Sequence, residues 1–72
     1  MNITFDVKGK KIAVEYLPSG ATLEDAIKAA KETGQLPPDF QANKATREQQ
    51  QTVEVPVFLK TELENDETIK LT

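Results

Sequence analysis

The chain has 72 residues, with 12 acidic and 9 basic side chains, a formal charge of −3, and neither cysteine nor histidine. That composition excludes thiol and imidazole catalysis, disulfide stapling and the usual zinc sites, and the length allows one domain with one modest core. With no signal-peptide pattern and no apolar run near the roughly 20 residues of a membrane span, the expectation is a soluble cytoplasmic protein without membrane association.

Asn2 to Leu17 carries two runs of alternating apolar residues, Ile3, Phe5, Val7 and then Ile12, Val14, Tyr16. A period of two puts one face of each strand on a core, so the segment predicts a β-hairpin. Placing the loop at Gly9-Lys10 sets Val7 opposite Ile12, Phe5 opposite Val14 and Ile3 opposite Tyr16, making every pair on one face apolar. The other face then carries Thr4, Asp6, Ala13, Glu15 and Leu17. In that register Asp6 opposes Ala13 and Glu15 opposes Thr4. The two carboxylates lie diagonally on an open face without burial or a cleft and make no general acid–base pair. Leu17 interrupts the polar face and, with Asp6 and Glu15, is a protein-interaction candidate. Lys8, Lys10 and Lys11 gather at the turn, where they read as solvated charges or a contact for an acidic protein. Without exposed aromatics beside them they make a poor phosphate track, and no nucleic-acid partner is expected.

Pro18-Ser19-Gly20 breaks the strand, and Thr22 with Asp25 three residues on forms a capping box for a helix starting at Leu23. Leu23, Ala26, Ile27 and Ala30 form its apolar stripe, Glu24, Lys28 and Glu32 support one another on the wet side, and Gly34 ends it. The alanines allow close approach to a sheet. Leu36-Pro37-Pro38-Asp39-Phe40 is an extended connector anchored by Leu36 and Phe40.

Residues 41–52 have only two alanines as apolar content, so they read as a polar loop or insertion, with a short helical turn at Thr46–Gln49 as an alternative. Val53, Val55, Val57 and Leu59 restore the strand period on the core side. Glu54, Pro56 and Phe58 share the opposite face, and Pro56 marks an edge strand or a bulge. An exposed Phe58 beside an open edge is the best interaction hot spot in the chain. Lys60 to Glu67 turns the chain with Leu63 tucked inward. Its acids lack the spacing and central glycine of a calcium loop, so no metal site is expected, and they read as a solvated run or the rim of a protein interface. Thr68 to Thr72 closes the sheet. Ile69 and Leu71 need cover, which places this strand in the middle, beside the first.

The expected architecture is α+β: a single domain over residues 1–72 with a mixed four-stranded sheet and one helix packed across it, in the order β-β-α-β-β. Thr22-Leu23-Glu24-Asp25-Ala26-Ile27 opening the helix, Gly34-Gln35-Leu36-Pro37-Pro38-Asp39 leaving it, and Leu63 to Leu71 entering the last strand make the chain resemble the β-grasp, ubiquitin-like superfamily. Members serve as conjugated modifiers, sulfur carriers, small enzyme subunits or adaptors. The carrier and modifier roles use a C-terminal Gly-Gly tail, whereas this sequence ends Leu71-Thr72. The resemblance therefore implies a non-catalytic protein-interaction module, an adaptor, accessory subunit or small inhibitor, with a protein partner and no cofactor. A carrier or modifier relative and an acidic nucleic-acid-mimicking inhibitor are the alternatives.

Overall fold

Alternating apolar residues build the first hairpin, but the turn that joins its strands sets a different register from the expected one. β1 (Ile3–Val7) pairs antiparallel with β2 (Lys10–Val14), placing Ile3 opposite Val14, Phe5 opposite Ile12 and Asp6 opposite Lys11. The loop is Lys8-Gly9, one residue earlier than Gly9-Lys10, and both residues have left-handed φ, 52° and 87°. A two-residue hairpin of this twist requires positive φ at both central positions, which suits the glycine second. Asp6 Oδ1 braces the turn by accepting from the Gly9 amide at 3.1 Å. The shift of two partners keeps Ile3, Phe5, Ile12 and Val14 on the core face, because side-chain direction repeats every two residues.

Beyond Val14 the alternation breaks. Met1 and Leu17 exchange both backbone hydrogen bonds, at 2.8 and 2.9 Å, so one residue more lies between Val14 and Leu17 than between Met1 and Ile3. This is a β-bulge, and Tyr16 within it has φ of 64°. The extra residue turns Tyr16 out, 91% exposed, and Leu17 in, 6% exposed. Both placements reverse the expectation.

The helix forms as its caps dictate. α1 (Leu23–Glu32) starts after Thr22, whose amide donates to Asp25 Oδ2 at 3.0 Å while Thr22 Oγ1 accepts from the Asp25 amide at 3.4 Å. Its first two amides, from Leu23 and Glu24, donate to the carbonyls of Thr61 and Leu59 at 3.1 Å each. At the other end Gly34, with φ of 78°, donates to Lys31 and Gln35 donates to Ala30, the paired bonds of a Schellman cap. Leu23, Ala26 and Ala30 are buried, and the two alanines are fully covered.

The computed structural model describes residues 1–49 and 53–72. It adds one strand to the four expected. β3 (Ala45–Gln49) lies inside the stretch read as a polar loop, where neither a loop nor a helical turn at Thr46–Gln49 is found; residues 50–52 of that stretch are outside the described residues. β3 pairs antiparallel with β4 (Val53–Pro56) and with β5 (Glu67–Leu71), and β5 pairs parallel with β1. The sheet order is β2-β1-β5-β3-β4, a mixed, β-grasp-like arrangement with the closing strand central and β4 at an edge. The core joins Ile3, Phe5, Ile12, Val14, Ile69 and Leu71 from the sheet to the helix stripe, with Leu17, Leu36 and Leu63 closing its margins. Leu59, expected on the core side, is 52% exposed. The strand ends at Pro56 and the chain turns through residues 58–61, so the alternation that led inward stops two residues before it.

β3 also carries a mostly buried cation. Arg47 stands opposite Ile69 on the core side, and its Nη2 lies 3.2 Å from Glu67 Oε1 and donates to the Glu62 carbonyl at 2.9 Å. The same Glu67 oxygen accepts from the Glu64 amide at 3.0 Å. This ties the acidic turn before β5 to the sheet through Glu67, while Glu62, Glu64 and Asp66 remain exposed, as a solvated run requires. Among the described residues, buried Arg47 Nε has no hydrogen-bond partner.

Candidate functional site

Backbone hydrogen bonds at the helix N-terminus create the most distinctive surface. The turn after β4 is closed by the Thr61 amide donating to the Phe58 carbonyl at 2.9 Å and by the Phe58 amide donating to Thr61 Oγ1 at 3.1 Å. It is then clamped from outside, because the carbonyls of Leu59 and Thr61 accept the otherwise unpaired first amides of α1. Val57, immediately before the turn, is buried and donates its amide to the Ala45 carbonyl at 2.8 Å. Phe58 and Leu59 thus sit on a segment pinned at both ends, yet their side chains are 69% and 52% exposed.

They form one end of an open groove of about 610 Å³. One wall is α1, presenting Leu23 and Ile27 with Lys28 and Lys31. The facing wall is the segment leading into β3, with Phe40, Ala42 and Lys44, and Ala45 and Val57 line it at the sheet. Among the described residues, three lysines and one carboxylate, Glu24, line the groove. Glu24 Oε1 lies 3.6 Å from Lys60 Nζ, so it does not make the expected helical pair with Lys28. Among the described residues, no ion pair involves Lys28, Lys31 or Lys44.

The six residues singled out from the sequence do not converge. Phe58 lies on the groove. Pro56 is exposed on the edge strand opposite Thr46, and Glu54 lies on the same strand in register with Glu48 of β3. Asp6 is half-buried at the hairpin turn, and Glu15 is exposed beside the bulge; both belong to the β1–β2 end of the sheet, away from β4. Leu17 is in the core and is withdrawn from any surface. Ile27, Lys28, Lys31, Phe40, Lys44 and Leu59 were not read as site residues. The sequence pattern assigns Ile27 and Phe40 to packing, and no local pattern announces that they flank one groove.

Among the described residues, no three histidine, cysteine, aspartate or glutamate side chains cluster as metal ligands, and no helix is long and apolar enough to cross a membrane. No protein-family model, curated protein or solved structure matches the chain.

Proposed function

We propose that this chain is a non-catalytic protein-interaction module, acting as an adaptor, accessory subunit or small inhibitor, and that it engages its partner through the Phe58–Leu59 groove. The observation that carries the reading is rigid exposure. Two large apolar side chains stand in solvent on a turn held by hydrogen bonds to the helix N-terminus and to Thr61. The hydrogen bonds of the turn use their backbone groups, not their side chains, and about half or more of each apolar side chain is left to solvent. A preorganised aromatic in a groove is the arrangement that yields binding hot spots, since little rotamer and loop entropy is lost on association. The acidic segment supports the nucleic-acid-mimic alternative poorly, because Glu67 is drawn into its pair with Arg47 and leaves the row of solvent-facing acids.

The test is capture from the native cell extract with wild-type protein and with Phe58→Asp, followed by binding measurements on the purified partner. Phe58→Asp is expected to weaken binding by about 30-fold or more. A partner captured stoichiometrically and bound equally by both proteins would move the interface away from the groove.

A further inference from the structure

The groove has a charge pattern as well as an apolar floor. Ile27, Phe40, Phe58 and Leu59 supply the apolar surface, Lys28 and Lys31 stand one turn apart on the helix wall, and Lys44 faces them from the segment before β3. Its single carboxylate, Glu24, lies next to Lys60. A positive groove on a chain of net charge −3 is a local reversal of sign. At physiological ionic strength the screening length is about 8 Å, so a ligand in the groove feels the three lysines far more than the acids elsewhere.

Building on the binding role proposed above, we infer that the occupant is a linear acidic peptide segment in which large apolar side chains alternate with aspartate or glutamate. The apolar side chains fill the space between Ile27, Phe40 and Phe58, and the carboxylates meet Lys28, Lys31 and Lys44 at the rim. An open groove of about 610 Å³ has room for a few side chains, whereas a flat protein face would leave it unfilled. A basic segment would put like charges together in a partly desolvated space, which costs binding energy and gives the groove its discrimination. The lysine ammonium groups pair with carboxylates as point charges, so the recognition tolerates variation in the spacing of the acids.

Selection of random peptides displayed on phage against the whole chain, with counter-selection on Phe58→Ser, tests the assignment. Phe58 is mostly exposed, so the variant keeps its fold, which a dispersed amide NMR spectrum verifies. Phe58-dependent peptides rich in aspartate and glutamate beside leucine or phenylalanine are expected. Their amide shifts should map to α1, to residues 40–45 and to residues 57–59, and affinity should fall about tenfold or more in Lys28→Glu/Lys44→Glu. Selection on that double variant should enrich basic peptides instead. Phe58-dependent peptides that are neutral or basic on the wild-type protein would overturn the acidic assignment and leave the binding role standing. Failure to enrich any Phe58-dependent peptide would overturn both.

Discussion

Tyr16 shows how one residue can reverse the reading at the end of a strand. Its φ of 64° marks a bulge after Val14, and the inward and outward directions of Tyr16 and Leu17 exchange while Glu15 stays exposed. Tyr16 therefore stands in solvent while Leu17 takes its place in the core. A bulky side chain at left-handed φ is strained by about 1–2 kcal/mol, part of which glycine returns as unfolded-state entropy. Tyr16→Gly should accordingly raise the unfolding free energy in urea by about 0.5–1 kcal/mol. A drop instead would mean that the exposed ring packs on a neighbour strongly enough to outweigh the backbone strain. Leu17 and Asp6 lose their standing as surface candidates for related reasons. One is consumed by the core and the other by the hairpin turn.

The helix and the polar strand are opposite cases of how an element is encoded. α1 is specified locally: the Thr22–Asp25 box, the stripe of Leu23, Ala26 and Ala30, and the Gly34 cap all agree, so its limits can be read directly. A Cβ placed on Gly34 meets nothing within 4 Å, which makes Gly34→Ala a clean probe of the left-handed cap. It should cost about 1–2 kcal/mol from backbone strain alone, measured as a lower urea midpoint at unchanged slope. β3 has no comparable local signal. Its residues Ala45-Thr46-Arg47-Glu48-Gln49 contain one apolar side chain, and the strand exists because β5 and β4 supply hydrogen-bond partners on both sides. Arg47 takes a position opposite Ile69 that an apolar residue usually fills, and its guanidinium reaches Glu67 and the Glu62 carbonyl. Removing one partner of a mostly buried pair strands the other charge. Arg47→Met should therefore destabilise more than the double substitution Arg47→Met/Glu67→Met, a coupling that a double-mutant cycle in urea reads directly. Additive single effects would show that the pair contributes nothing to the join between β3 and the β5 turn.

For the molecule as a whole, the sheet order decides where stability resides. β5 is paired on both sides and carries Ile69 and Leu71, both fully covered, beside β1 with Phe5. Amide exchange should be slowest in β1 and β5 and faster in the edge strands β2 and β4, because central strands open only with global unfolding. Rapid exchange at Ile69 and Leu71 would contradict the central placement. The same order separates the two ends of the sheet, leaving Asp6 and Glu15 with the hairpin and Phe58 with the helix groove, so a single interface cannot be assembled from all the residues that looked promising one at a time.

Local chemistry was enough to identify the opening hairpin, the capped helix, the inward turn of Leu63 and the need to bury Ile69 and Leu71 in a central strand. Each depends on a period or a cap that nearby residues state for themselves. The hairpin register depended on which two residues could adopt left-handed φ, and the position of Leu17 on a bulge that the alternation of side chains does not record. β3 became a strand through its pairing with β4 and with β5, whose residues lie more than twenty positions away in the sequence, and the groove arose only when α1, the segment before β3 and the turn after β4 were brought together. A sequence pattern reports how an element meets a core it has not yet named. The exposure of Phe58 and Leu59 belongs to the tertiary structure, because it follows from where the helix amides find their carbonyls.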